Sequence, residues 1–218
     1  MLKRLSRDWL KRFNPQARSM ARSARYISEQ MAGAADLVER NRLLEFALVQ
    51  CGPEGLLLEF GVYKGDSLAL IAKRSNTAVH GFDSFEGLPE DWTGHQRKGR
   101  FSLSGQVPDI GLNNVVLHKG PFHETLPRFL ASHAGPVRFL HVDCDLYSST
   151  LTVLENLVPH LIPGSVLVFD EYLNYPDWDR HEFRAFQEIV ASTKLAYEYL
   201  AYASNWYSVA IRIVGWRT

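Results

Sequence analysis

The sequence is poor in cysteine, carries no excess of either charge and holds no long apolar run, and each scarcity excludes something. Its two cysteines, Cys51 and Cys144, stand far apart among 218 residues and match no metal-ligand spacing. A disulfide framework is thereby set aside, and a reduced, cytoplasmic setting is expected. Lysine plus arginine number 24, as do aspartate plus glutamate, so no global field recruits nucleic acid and none is expected as a partner. The longest apolar stretches, such as 166–169, have strand length and cannot span a bilayer. The basic start is followed by no apolar h-region, so no secretory signal is expected.

What remains is a chain of the right size for one domain with a full core. Its first part is basic: Lys3, Arg4, Arg7, Lys11, Arg12, Arg18, Arg22 and Arg25 face only Asp8 before position 26. Leu2, Leu5, Trp9 (or Leu10) and Phe13 recur at helical spacing, predicting an amphipathic basic helix that Asn14-Pro15 breaks. Further helices are expected over 17–31 and 39–51, the latter stopped by Gly52-Pro53. Residues 1–52 thus read as a helical extension, suited to capping the site, to pairing with a second copy as a homodimer, to a membrane surface or to covering the core; the first two are favoured.

From Leu56 short apolar runs alternate with helical stretches. Strands are expected at 56–60, 78–83, 115–119, 137–143 and 165–170, and helices at 66–74, 123–132, 149–160 and 181–192. This rhythm predicts an α/β, doubly wound, mostly parallel sheet over 53–218, covered on both faces. Runs at 197–202 and 206–214 flank a short turn and read as a hairpin, giving an antiparallel C-terminal strand and seven strands in all. The stretch 86–112 is too long for a plain connection, and within it 90–108 is a candidate lid with Trp92 and the basic residues His95, Arg97, Lys98 and Arg100.

Ligands bind open parallel sheets at the carboxyl ends of the strands, so the residues that end each strand carry the functional information. The first strand runs into Glu59-Phe60-Gly61-Val62-Tyr63-Lys64-Gly65-Asp66-Ser67. Glycines there allow a sharp turn and close approach of a ligand, and the Gly-x-x-x-Gly spacing is not the Gly-x-Gly-x-x-Gly of a dinucleotide site. The second strand ends at Asp83, some twenty residues on, where a carboxylate can accept the hydroxyls of a ribose.

These strand ends carry a family resemblance. Residues 59–67 resemble the first motif of class I methyltransferases, especially the catechol O-methyltransferase group. Asp83-Ser84-Phe85-Glu86-Gly87-Leu88-Pro89, His141-Val142-Asp143-Cys144-Asp145-Leu146-Tyr147-Ser148-Ser149-Thr150 and Phe169-Asp170-Glu171-Tyr172 together resemble the macrocin O-methyltransferase family, over roughly 55–213. The resemblance implies S-adenosylmethionine as cofactor, with Glu59 and the backbone from Gly61 to Gly65 around its methionine part. It implies Tyr63 and Ser67 beside the carboxylate, Asp83 on the ribose, Ser84 and Phe85 near the adenine, and Asp143 at the cofactor's edge. His123 lies in the stretch that closes over the adenine, and is either a partner of that ring or a surface histidine.

Asp143, Asp170 and Glu171 end adjacent strands, and crowded carboxylates demand a cation, protons or basic partners. A hard divalent ion, Mg²⁺ by preference, answers that demand, and the related families imply the same ligand positions. Such an ion would lower the pKa of an acceptor hydroxyl and aim it at the methyl group. The expected reaction is O-methylation of a small molecule or glycan, with Asp143 and Asp145 as catalytic residues and Asp145 the candidate base. The catechol group's lysine base is Leu146 here and is not carried over. Glu171 has two readings, metal ligand or ion-pair partner of Arg180 or Arg184. Tyr172, Tyr175, Trp178 and His181 either wall an aromatic acceptor pocket or pack on the domain.

Overall fold

The structure, a computed structural model, describes residues 14–94 and 96–217. The amphipathic helix expected from Leu2 to Phe13, and His95 of the basic lid cluster, lie outside the described residues.

Asn14-Pro15 begins a helix. Asn14 Oδ1 accepts the Ala17 N–H at 3.2 Å and Pro15 opens the next helix, α1 (Pro15–Gln30), where its missing N–H and fixed φ cost nothing. There follow β1 (Ala35–Asp36), α2 (Arg40–Gln50), β2 (Leu56–Phe60), α3 (Asp66–Lys73) and β3 (Val79–Asp83). After the long loop come β4 (Val115–Lys119), α4 (Phe122–Ser132), β5 (Val137–Val142), α5 (Tyr147–Leu157), β6 (Leu161–Phe169), α6 (Glu182–Thr193), β7 (Leu195–Tyr202) and β8 (Val209–Trp216). The sheet order is β1-β7-β8-β6-β5-β2-β3-β4. β4, β3, β2, β5 and β6 run parallel, whereas β8 is antiparallel to both β6 and β7. The doubly wound α/β sheet with an antiparallel C-terminal strand is as expected. The difference is β1, an added edge strand only two residues long and parallel to β7, too short to leave a periodic signal.

The strands have apolar side chains on both faces, as a covered sheet requires. Leu58, Phe60, Leu140, Val142, Leu167 and Phe169 pack with α4, α5 and α6; Leu57, Phe139, Val166 and Val168 pack with Leu43, Leu44 and Ala47 of α2 and with Leu68 and Ile71 of α3. α1 lies on its own chain: Tyr26 packs edge-on against Trp178 and Phe183, and Ser23 Oγ accepts the Asn174 N–H at 2.8 Å. In the described part of the extension α1 covers the core of its own chain. Among the described residues no helix is long and apolar enough to cross a membrane.

Candidate active site

Strand order turns back between β2 and β5, so the connections that follow them leave in opposite directions and open a crevice at that point. Gly61 sits in it with φ +88°, and a Cβ there would overlap the backbone carbonyl of Asp143. Only glycine lets the turn after β2 lie this close to the end of β5. Tyr63 follows with φ 49°. Gly65, φ +87°, begins α3.

Asp83 fastens that turn. Its Oδ2 accepts the N–H groups of Val62 and Tyr63, both at 2.8 Å, and its Oδ1 accepts the Phe85 N–H at 2.7 Å. Three of roughly four carboxylate lone-pair sites are thereby filled, leaving one on Oδ1 towards the cleft.

Side-chain alternation explains the charged row beside this turn. With a period of two, Glu59, His141 and Asp170 fall on the face that α2 and α3 cover, where Leu57, Phe139 and Val168 also lie. Glu59 and His141 are fully buried, and His141 Nδ1 donates to Glu59 Oε2 at 2.8 Å. Burial lowers the His141 pKa, but Asp170, with an oxygen 3.7 Å from Nε2, and Glu59 outweigh it and hold the imidazole up at about 10. His141 is thus a charged core histidine.

The residue that sequence reasoning missed is Arg40, the first of α2. Its Nε donates to Asp170 Oδ1 and Oδ2 at 2.6 and 2.8 Å, and its Nη2 to Asp143 Oδ2 at 2.6 Å. Ser208 Oγ (2.8 Å) and Trp206 Nε1 (3.3 Å) also donate to Asp170. Burial would raise Asp170, yet His141 and Arg40 hold it below the ordinary carboxylate range. Asp143 has burial and the neighbouring Asp170 charge raising it against Arg40 and His141, and it reaches about 7. A usable signal did exist: the helix covering this face had to bring a cation to its carboxylates, and Arg40 begins that helix.

A second residue that sequence reasoning missed is a buried acid, Glu182, at the start of α6. Its Oε1 accepts the N–H groups of Cys144 and Asp145, each at 3.2 Å, and its Oε2 accepts the Glu171 N–H at 3.1 Å. One carboxyl group therefore ties the loop after β5 to the loop after β6. Asp145 sits on that loop with φ 61°, so the chain has already left the strand there. Burial, then the nearby carboxylates, push Asp145 and Glu171 well above the ordinary range.

A cleft of about 1070 Å³ opens over these groups. Of the expected site residues, Gly61, Tyr63, Asp83, Ser84, His123, Asp143, Asp145, Asp170 and Glu171 line it, and Glu59, Gly65, Ser67 and Phe85 stand behind the lining. Glu59 is engaged with His141, and Phe85 is 1% exposed within the core. Asp143, Asp170 and Glu171 do converge, each offering an oxygen within 4.8 Å of the others. Glu171 pairs with neither arginine: Arg184 Nε bonds Glu188 at 2.8 Å and Arg180 Nε faces Asp177 at 3.8 Å. With Arg40 in place the trio does not fit a divalent ion, because the guanidinium bonds both oxygens of Asp170 and Oδ2 of Asp143; only the Glu171 carboxyl, whose Oε2 has no hydrogen-bond partner, is left free of it.

Of the two readings for the aromatic residues after β6, packing on the domain is the one the structure shows. Tyr172, Tyr175 and Trp178 are buried core residues, and His181 is absent from the lining. Trp92, Phe101, Phe122, Trp206 and Tyr207 line the cleft instead. The lid loop is fixed to itself by Leu88 N–H to Arg100 O and Leu103 N–H to Phe85 O, at 2.9 and 3.0 Å, and Glu90 accepts the Ser148 hydroxyl at 2.6 Å. Of its described basic residues Lys98 reaches the cleft, while Arg97 pairs with Asp91.

A family described as "Methyltransferase domain" matches residues 58–172, over half of the chain and the span that builds this crevice. The chain belongs to that methyltransferase family. A relative from Streptomyces olivaceus, 8-demethyl-8-(2,3-dimethoxy-alpha-L-rhamnosyl)-tetracenomycin-C 4'-O-methyltransferase, is 31% identical over 169 residues, covering 67% of this chain and 63% of that protein. Solved structures share the methyltransferase fold. CalS11, calicheamicin methyltransferase, superposes with TM-score 0.63 at 21% identity, over 89% of this chain and 91% of that one. The O-methyltransferase NovP gives 0.63 at 23% identity over 84% of each. TomG from Streptomyces achromogenes, solved with S-adenosylmethionine, gives 0.55 at 16% identity over 90% of each.

Proposed function

We propose that the chain is an S-adenosylmethionine-dependent O-methyltransferase whose acceptor is a hydroxyl of a sugar or a glycosylated natural product, close in type to the macrocin group. The observation that carries this reading is the cleft at the switch point, with Gly61 and Asp83 on one side and Asp143 and Asp145 on the other. The printed name of the Streptomyces olivaceus relative, a 4'-O-methyltransferase of a rhamnosyl compound, supports the acceptor class.

The cofactor, when bound, supplies an electrophilic methyl group on a sulfonium. Gly61 and its turn give it backbone at close range, and the last lone pair of Asp83 Oδ1 takes one ribose hydroxyl rather than both. Ser84 and His123 border the expected adenine end, while Glu59 acts from behind, through His141. Asp143, held near neutrality, has the affinity a base needs to take the acceptor's hydroxyl proton as the new carbon–oxygen bond forms. Asp145, raised above the ordinary range, stands beside it as a second proton holder. Trp92, Phe101 and Tyr207 give the acceptor apolar surface and exclude water. A homodimer belongs to this proposal too, with sedimentation as its check; its contact surface has to avoid the α1 face already packed on the domain.

The deciding experiment is a screen of hydroxylated acceptors, sugars and glycosides foremost, with isotopically labelled cofactor. The expected outcome is one added methyl per acceptor by mass, abolished in Asp143→Asn. Cofactor binding without transfer to any hydroxyl, but with transfer to an amine, would overturn the O-methyl assignment.

A further inference from the structure

We propose that Arg40 is the resident cation of this site, standing where a divalent ion would otherwise be held by Asp143, Asp170 and Glu171, so that the chain works without metal. The catalytic half of this inference rests on the methyltransferase reading; the half that concerns metal binding does not.

Lone pairs decide the matter. A carboxylate oxygen has about two acceptor sites. Asp170 Oδ1 already accepts from Arg40 Nε and Ser208 Oγ, and Oδ2 from Arg40 Nε and Trp206 Nε1. The single Arg40 Nε–H is shared between the two oxygens, so an ion on Asp170 would stand against the guanidinium. Asp143 Oδ2 is taken by Arg40 Nη2. A divalent ion would therefore have to displace the guanidinium from both carboxylates, or sit beside a fixed positive charge and be repelled by it. Displacement is opposed by the architecture: the Arg40 side chain is only 24% exposed and its backbone begins a helix packed on the sheet. Arginine suits the task because its planar fork binds carboxylates through several donors at once and keeps its charge at all working pH values.

The consequence for chemistry is specific. The guanidinium borders the cleft, so it puts a permanent positive charge beside the position where an acceptor hydroxyl gives up its proton to Asp143. Unlike an ion, it exchanges no ligands and cannot hold two neighbouring hydroxyls by direct coordination. It fixes Asp143 and favours charge developing on the acceptor oxygen, and the methyl then moves from sulfur to that oxygen as the carbon–sulfur bond breaks.

The test follows Mn²⁺ as the probe, by electron paramagnetic resonance, in the full chain and in Arg40→Met, which keeps the bulk of the side chain and removes the charge. At millimolar Mn²⁺ the unaltered chain is expected to bind none at this site. Arg40→Met is expected to gain one site, which the further change Asp170→Asn abolishes. One bound Mn²⁺ in the unaltered chain, lost on Asp170→Asn, would overturn the proposal whatever the variant does, so a poorly folding Arg40→Met leaves the test intact. With an acceptor in hand, turnover is expected to be unchanged in excess EDTA and to fall roughly 100-fold in Arg40→Met, with cofactor affinity retained. Arg40→Lys is expected to recover part of that rate, which a purely structural role would not predict. Loss of turnover in EDTA, restored by Mg²⁺, would sink the inference. Absence of cofactor binding would instead count against the methyltransferase reading and leave the Mn²⁺ result standing.

Discussion

Gly61 and Asp143 come from strands on either side of the switch point, yet their backbones are so close that a single methyl on Gly61 would run into the Asp143 carbonyl. The turn proposed to receive the cofactor and the strand end that carries the proposed base are thus held at one fixed separation.

Gly61→Ala tests that contact. The variant combines a left-handed φ with a clash against backbone, which cannot rotate away, so a loss of about 3 kcal/mol or more is expected. Chemical denaturation measures it, and calorimetry should show cofactor binding lost in whatever fraction remains folded. Near-native stability would mean the two strand ends are not as close as described.

Asp83→Ala removes the acceptor of three backbone N–H groups as well as the proposed ribose contact. Cofactor affinity is expected to fall at least 100-fold, about 3 kcal/mol, since both the turn and the hydroxyl lose their partner. Calorimetric titration with the demethylated cofactor product reads this directly, and an affinity within a few-fold of the original would refute it.

Sequence and structure agree best where a residue's job is local. The short apolar strand runs, the glycine turn and the acidic strand ends were all legible, because each leaves its mark within a few positions. Arg40 and Glu182 were not, since Arg40 bonds Asp143 and Asp170 more than a hundred residues on and Glu182 reaches back to Cys144 and Asp145, groups belonging to other elements. The aromatic wall stayed undecided in the sequence for a related reason. Tyr172, Tyr175 and Trp178 follow the right strand, but a tyrosine or tryptophan has the same composition signal whether it packs inward or faces a ligand. Trp206 and Tyr207, which do reach the cleft, come from the turn of the hairpin.

Glu182→Ala should separate the two strand-end loops. Cys144, Asp145 and Glu171 would each lose the partner of a backbone N–H in a buried place, for a combined cost of about 3 kcal/mol or more. Urea titration gives the stability change, and hydrogen exchange should show those three amides losing protection together. Independent behaviour of the two loops would contradict the clasp.

His80 provides a pH-dependent stability. Burial, with repulsion from His118 and His133, lowers its pKa from 6.5 to about 4 in the folded chain. Between those values the unfolded chain binds the proton and the folded one does not, so stability contributed by neutral His80 is complete above pH 6.5 and is lost as pH falls towards 4. Carboxylates titrate in the same window, so the measurement is the difference between the unaltered chain and His80→Phe. The variant should lose less stability on acidification from pH 6.5 to 4; parallel curves would show that His80 is not held neutral.

The site's positive charge is supplied from position 40, ahead of the segment 58–172 that defines the family, and it arrives only when α2 lies on the sheet. A chain cut back to begin at residue 53 would keep every motif by which the fold is recognised. It would still confront Asp143 and Asp170 with no guanidinium between them. In such a shortened form the recognisable part and the working part of the protein would be different objects, and recombining helices from relatives would succeed only where the donor segment brings its own arginine.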